Sequence, residues 1–223
     1  ACVLHYRAGD TPVRAGDLVL IDAACELDGY ASDITRTFPA SGRFTGPQRA
    51  LYELVLQSQV AAIAATRAGA RFDDPHDAAV AVLAQGMLDL KLLDANKVGS
   101  VQDVIEKRAY FPFYMHRTSH WMGMDVHDCG SYVEPSEANQ TSQQVDPITG
   151  QTVTRRPSRI LQPGMVLTIE PGIYMRPGEG VPEPFHHIGI RIEDDAIVTA
   201  DGCELVTRGV PVEPDAIEAL MRD

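Results

Sequence analysis

Asp17 to Pro39, DLVLIDAACELDGYASDITRTFP, is the stretch whose reading decides the fold. Asp17 to Asp22 carries four consecutive aliphatic residues, Leu18 to Ile21, and predicts a buried strand. Leu27-Asp28-Gly29 is a turn signal, and Tyr30 to Phe38 predicts the returning strand of a hairpin, stopped by Pro39. A turn centred between Leu27 and Asp28 makes residues whose numbers sum to 55 face each other. Asp22 then faces Asp33, an approximate opposition because other turn types shift it by one or two residues. Like charges across a ladder destabilise it, and a bound cation removes that penalty. Two surface aspartates at strand ends are the plain alternative. The flanks Leu18, Leu20, Ile21 and Ile34 argue for burial instead.

Moving outward, Gly46-Pro47 opens a long helix with Leu51, Leu54, Val55, Ser58, Ala61, Ala62 and Ala65 at helical spacing, ended by Gly69. A second helix is expected over about Asp73 to Leu90, with Ala78, Val82, Leu83 and Met87 inward. A third is expected over 94 to 107. Residues 134 to 160 are polar and too long for an ordinary loop; they predict an extended hairpin or mobile flap with its tip at Asp146-Pro147 to Gly150. Strands are expected at Met165 to Glu170, Gly189 to Glu193 and Ala196 to Thr199, and a last helix at Pro214 to Met221. Two strand pairs flanked by helices suggest a doubled α+β plan.

The later strands supply two further carboxylates. In Val166 to Glu170, alternation puts Leu167 and Ile169 on one face and Thr168 and Glu170 on the other. In Gly189 to Glu193, Ile190 and Ile192 share a face, and Arg191 shares the other with Glu193. Buried carboxylates need partners, and one arginine cannot serve four of them. Between the pairs lies His116 to Asp128, which holds His116, His120 and His127. A lone histidine is more often structural. Three beside four carboxylates favour a functional role, and oxygen-rich ligation with one imidazole suits Mn²⁺ or a similar hard-to-borderline ion better than a thiolate zinc site. Four carboxylates also suffice to bridge two ions, the two-metal hydrolase arrangement.

Composition narrows the classes. The chain has 223 residues, 19 Lys+Arg against 31 Asp+Glu and a net charge of −12. A hydrophobic content of 44% rules out wholesale disorder, and no apolar run is long enough for a membrane helix. The acid excess disfavours nucleic acid as a partner. Cys2, Cys25, Cys129 and Cys203 form no CxxC pair, so buried free thiols in a reducing cytoplasm are expected. The start, Ala1 to Tyr6, shows no initiator Met and no signal-peptide pattern, so upstream sequence is expected to be missing.

The ordered set Asp22, Asp33, His120, Glu170 and Glu193 resembles the five-ligand set of the pita-bread metallopeptidases, and within them the bacterial aminopeptidase P (Xaa-Pro aminopeptidase) group. The segments that carry this are Leu20 to Ala23 with Asp28 to Pro39, Ser119 to Asp128, Leu161 to Gly172 and Gly189 to Asp195. The resemblance implies an α+β pita-bread fold with pseudo-twofold halves and a curved antiparallel sheet covered by helices. It implies that residues 1 to 223 are a catalytic domain lacking its first helix and strand and the family's N-terminal domain. It implies two divalent ions, Mn²⁺ foremost, with Zn²⁺ or Co²⁺ as alternatives. Asp22 would bind one ion, Asp33 and Glu193 would bridge both, and His120 and Glu170 would complete the other site. A hydroxide between the ions would cleave the bond between an N-terminal residue and proline, with Glu170 as proton shuttle. His127 and His116 would hold substrate, as would His5, with Tyr174 and Arg191 behind the ligands. The expected partners are peptides with proline second and further copies of the chain, as a dimer or tetramer; the expected location is the cytoplasm.

Two positions depart from the family pattern. Arg117 stands where a small residue is expected, and the 134 to 160 segment is longer than expected. Prolidase shares all five ligands, and methionine aminopeptidase shares the ligands with poorer surrounding matches. A pita-bread peptide-binding module without catalysis is the reading from another class.

Overall fold

The computed structural model describes residues 2–4, 6, 9–178 and 180–222. Strand β1 is Leu18–Ala23, β2 Glu26–Leu27, β3 Tyr30–Ala31 and β4 Ile34–Pro39. The hairpin forms, but in a different register from the one expected. Leu27 pairs with Tyr30 and Asp22 with Thr35, so opposed residue numbers sum to 57. The two turn residues are Asp28 and Gly29, at φ 53° and 84°. An Asp-Gly pair with both residues left-handed makes the two-residue turn whose twist matches paired strands. That moves the turn centre one residue along the chain. Asp33 is therefore two residues before the one that opposes Asp22. Side chains alternate with period two, so both aspartates keep one face and sit diagonally.

Burial of β1 is also less than expected. Ile21 is 48% exposed, and Leu18 to Leu20 are only half-buried. β1 pairs on one side only, with β4, which takes the buried position.

Helix α1 spans Gly46–Ala65 and α2 Asp74–Asp89. Thr45 caps α1 reciprocally: its hydroxyl accepts from the Gln48 N–H, and the Gln48 side chain accepts from the Thr45 N–H at 2.9 Å. The two helices pack on each other through Leu51, Leu54, Val55, Leu83 and Met87. A Cβ on Gly86 would overlap the Leu54 methyls, so the crossing needs glycine there. On α2 the inward stripe is Ala79, Val80, Leu83, Ala84 and Met87 rather than one through Ala78 and Val82. The expected third helix is two short ones, α3 Ala95–Val98 and α4 Val101–Glu106. Gly99 at φ 94° ends the first, and a Ser100–Asp103 capping box starts the second.

The polar segment is a hairpin arm as expected, with β5 Ser142–Val145 and β6 Thr152–Arg155. Then follow β7 Val166–Ile169, β8 Gly172–Met175, β9 Ile188–Arg191, β10 Asp194–Val198, β11 Cys203–Leu205 and helix α5 Pro214–Leu220. All strand pairs are antiparallel: β1–β4, β2–β3, β5–β6, β8–β9 and the three-stranded β11–β10–β7. Strands β8 and β11 were not anticipated. Backbone bonds stitch the pieces together, including Glu193 N–H to the Thr35 carbonyl at 3.1 Å and Glu170 N–H to the Thr118 carbonyl at 2.8 Å. The main core lies between α1–α2 and β8–β9, through Ile173, Met175, Ile190 and Ile192. A smaller one gathers Phe72, Trp121, Leu161 and Leu167.

The four thiols are free, but none is fully buried: Cys25 and Cys129 are exposed, and Cys2 and Cys203 are half-buried. Among the described residues no helix is long and apolar enough to cross a membrane.

Candidate metal centre and active site

Strand ends deliver the acid groups to one place. Asp22 comes from β1, Asp33 from the entry to β4, Glu170 from the β7–β8 junction and Glu193 from the β9–β10 junction. Glu170 and Pro171 link β7 to β8, and Gly172 opens β8. A Cβ on Gly172 would sit 2.8 Å from the Ile190 carbonyl oxygen and 2.8 Å from the Tyr174 hydroxyl. All five expected ligands line one cleft of about 790 Å³, together with His116, His127 and Arg191. Pockets of this size take small-molecule or peptide ligands.

His120 shows the chemistry most clearly. Its Nδ1 lies 3.0 Å from the Trp121 carbonyl oxygen. A carbonyl only accepts, so Nδ1 carries the proton and donates. That leaves Nε2 facing Asp33 Oδ2 and Glu170 Oε1, each at 3.5 Å, where it donates when the ring is charged and offers a lone pair to a cation when the ring is neutral. A backbone carbonyl fixing the tautomer from behind is what metal-bound imidazoles have. Asp33, His120 and Glu193 each offer a ligand atom, all within 4.8 Å of one another.

The acids strain against one another. Burial and then the charge of Glu193 push Glu170 up to about 8. Burial and then the charge of Asp33 push Glu193 up to about 8. Burial raises Asp22 as well, with Arg191 offsetting part of it. Burial would raise Asp33 too, but hydrogen bonds from His120 and Asp22 hold it below the usual range. For His120, burial opposes the charged ring, while the Asp33 bond, the Trp121 carbonyl and the Glu170 charge outweigh it and raise its pKa. A divalent cation relieves every one of these repulsions. The oxygen-rich donor set with one imidazole suits a hard-to-borderline ion, so the residues fit such a metal.

Arg191, 4% exposed, ties the centre together. It donates to Asp22 Oδ2 at 2.5 Å, to Thr35 Oγ1 at 3.1 Å and to the Tyr174 hydroxyl at 3.3 Å. The Tyr174 hydroxyl is 2.8 Å from His116 Nε2. Tyr174 accepts from Arg191 and so donates to His116, whose Nδ1–H then donates to the Arg117 carbonyl at 2.7 Å. His116 Nδ1 also lies 3.9 Å from Glu170 Oε2. The His127 ring packs on His120 with centroids 4.1 Å apart. His5 lies outside the described residues. Of the expected site residues that are described, all are in this assembly.

Sequence reasoning missed its inner supports. The Thr35 hydroxyl donates to Glu193 Oε2 at 2.5 Å. Thr168 accepts from the His120 N–H at 3.1 Å and donates to Glu170 Oε1 at 3.3 Å. Asp195, 2% exposed, accepts from the Asp33 N–H at 3.0 Å. Each sits two residues from a carboxylate already singled out, so the strand period was the available signal. Asp194 faces the other way, bonded to Arg36 at 2.8 Å and Arg208 at 3.2 Å.

The chain is similar to known proteins along nearly its whole length. The Metallopeptidase family M24 profile matches residues 1–200. The chain is 43% identical to a protein named Xaa-Pro aminopeptidase from Escherichia coli strain K12, covering 99% of this chain and 44% of that protein. It is 40% identical to Xaa-Pro aminopeptidase 1 of Streptomyces coelicolor, over 99% of this chain and 41% of that protein. The solved structure of Pseudomonas aeruginosa aminopeptidase PepP superposes with a TM-score of 0.85 at 46% identity, over 99% of this chain and 45% of that one. Escherichia coli aminopeptidase P with the inhibitor Pro-Leu superposes with a TM-score of 0.84 at 43% identity, over 99% of this chain and 45% of that one. The chain thus spans less than half the length of these relatives. Its α+β architecture is the expected pita-bread fold, and the chain belongs to Metallopeptidase family M24.

Proposed function

We propose that this chain is the catalytic part of a metal-dependent Xaa-Pro aminopeptidase, which hydrolyses the bond between an N-terminal residue and a following proline. The observation that carries the reading is the convergence of Asp22, Asp33, His120, Glu170 and Glu193 on one cleft, backed by His116, His127 and Arg191. The named relatives support the substrate class, and their greater length supports a longer protein around this chain.

In this reading Asp22, Asp33, His120, Glu170 and Glu193 would hold two divalent ions. When bound, the ions supply Lewis acidity toward the scissile carbonyl and acidify water. The remaining work falls to side chains. Glu170, a carboxylate at the cleft beside the scissile bond, carries a proton from the attacking water to the proline nitrogen. Like any amide nitrogen it needs that proton to leave; with no N–H of its own before cleavage, the proline nitrogen departs as a secondary amine. His127 lines the substrate side and presents its ring to the peptide. Thr168 and Thr35 fix the carboxylate orientations through the bonds given above, and Arg191 holds Asp22 in place.

An assay of Xaa-Pro against Xaa-Pro-Yaa peptides with added Mn²⁺ tests this. Release of the first residue from the longer peptides is expected. Cleavage of dipeptides alone would assign a prolidase instead, and a chain that binds no divalent ion and cleaves neither would be a binding module.

A further inference from the structure

We propose that Arg117 is a specificity-determining residue that acts by covering an acid. Its guanidinium pairs with Asp73 in the wall of the cleft and keeps that carboxylate from recruiting a lysine or arginine side chain at the position after proline. This rests on the aminopeptidase reading of the cleft and adds a selection within it.

Arg117 stands where the family pattern has a small residue. A long cation in an acid-lined cleft either joins the carboxylate cluster or is captured by another acid, and here it is captured. Arg117 Nη2 bonds Asp73 Oδ1, its one ion-pair partner among the described residues. Both residues line the cleft, beside His116 and Phe72. Both are carried by backbone that is held from behind. Next to Arg117, Thr118 is fully buried; its carbonyl accepts from the Glu170 N–H at 2.8 Å, and its hydroxyl lies 2.6 Å from that of Tyr114. Next to Asp73, Phe72 is 3% exposed and packs on Trp121 and Tyr132, with ring centroids 4.5 Å and 4.9 Å away. The Asp73 N–H donates to the Ser158 hydroxyl at 3.3 Å. The pair also forms in place of a helix cap. Asp73 is the N-cap residue of α2, yet its side chain makes no cap hydrogen bond. An aspartate there ordinarily accepts from the first helical N–H groups; this one is turned to Arg117 instead.

The pair is neutral as a unit and open to a ligand, with 51% of the Arg117 side chain and 43% of the Asp73 side chain exposed. An aminopeptidase places a single residue ahead of the bond it cuts. The strand-end acids serve that residue, and most of a cleft of about 790 Å³ is left to the residues that follow. Without the Arg117 side chain, Asp73 would present an unpaired carboxylate to them and attract a cationic side chain. Without the Asp73 charge, Arg117 would present an unpaired guanidinium and attract an acidic one. Specificity is a difference of affinities, and covering an attractive group is one way to refuse a partner. Paired, the two residues favour neither sign.

The test measures kcat/KM for Xaa-Pro-Lys, Xaa-Pro-Met and Xaa-Pro-Glu amides on the Mn²⁺-loaded protein; the C-terminal amide removes the carboxylate common to all three. In the unaltered protein Lys is expected to be no better than Met. R117A is expected to raise the Lys/Met ratio about five-fold, the size of one half-exposed ion pair, and R117A/D73N to return it. D73N alone raises the Glu/Met ratio instead, and R117K, which keeps the pair, holds both ratios near those of the unaltered protein. The change in ratio falls on KM rather than on kcat, as expected for uniform binding. An unchanged Lys/Met ratio in R117A would overturn the proposal. Equal gains for Lys, Met and Glu would overturn it as well, because Arg117 would then only fill space, and so would a gain with Lys at the first residue rather than the third. Calorimetric binding of Pro-Lys and Pro-Met amides to both proteins reads the same ratio without turnover. A protein that cleaves nothing, yet whose R117A form gains affinity for the Pro-Lys amide, would contradict the aminopeptidase reading and keep the role of the pair.

Discussion

Arg191 Nη2 lies 2.5 Å from Asp22 Oδ2, a bond across 169 positions of sequence that joins β9 to β1. Asp22 is the outlying member of the acid cluster, with 41% of its side chain exposed, while the Arg191 side chain is 5% exposed. The guanidinium is what fixes Asp22 relative to Glu193, whose Oε2 is 4.0 Å from Arg191 Nε.

Arg191→Ala is therefore expected to destabilise the protein by about 3 kcal/mol, the lower end for breaking a buried pair because Asp22 is partly solvated. It should also weaken metal binding, because it frees Asp22 and leaves Glu193 with one fewer partner. Arg191→Lys keeps the charge but cannot reach Asp22, Thr35 and Tyr174 together. Urea unfolding and metal titration of both variants check this; a lysine variant equal to the unaltered protein in both would contradict it.

Metal uptake should release protons near neutral pH. Burial and the neighbouring acid charge raise both Glu170 and Glu193, so without metal this coupled pair holds proton near neutral pH that free carboxylates would have lost. A cation needs their charged forms and must displace those protons. Affinity for Mn²⁺ then rises with pH up to about 8 and flattens above it. Calorimetry in two buffers of different ionisation enthalpy counts the protons. Net proton release at pH 7 that falls toward zero at pH 9.5 is expected; pH-independent uptake would contradict the proposed roles of these carboxyls.

His76 makes the fold acid-sensitive. Its Nδ1 is 2.9 Å from Thr118 Oγ1, beside Tyr114, and burial, then the nearby Arg117 charge, lowers its pKa to about 3. The unfolded chain binds a proton here between pH 6.5 and 3 while the folded chain does not. Stability from this group is thus complete above pH 6.5 and is lost as pH falls below it. His76→Gln removes that titration. The stability difference between the two proteins should change by up to about 1.4 kcal/mol per pH unit over that window. A difference independent of pH would contradict the assignment.

The site was more legible in the sequence than its supports were. Asp22, Asp33, Glu170 and Glu193 each end or begin a strand with apolar neighbours, a pattern that alternation exposes. The hairpin register was missed because it depends on the turn: Asp28 at positive φ moves the centre by one residue, a local backbone choice that hydrophobic pattern does not report. Thr35, Thr168 and Asp195 were missed because hydroxyl and carboxyl partners matter only once strands distant in sequence are side by side. The α3–α4 break follows from Gly99, which local reading could have weighed more heavily. The exposure of Ile21 follows from β1 pairing on one side only, which no local window shows.

Cleavage by this chain is expected to depend on bound metal. Chelator-stripped protein, titrated with Mn²⁺ while hydrolysis of an Xaa-Pro-Yaa peptide is followed, is expected to be inert at the start. The rate should climb and level off at about two ions per chain, the number that four carboxylates and one imidazole can hold between them. Full hydrolysis of the peptide by the stripped protein, unchanged by added metal, would contradict the account.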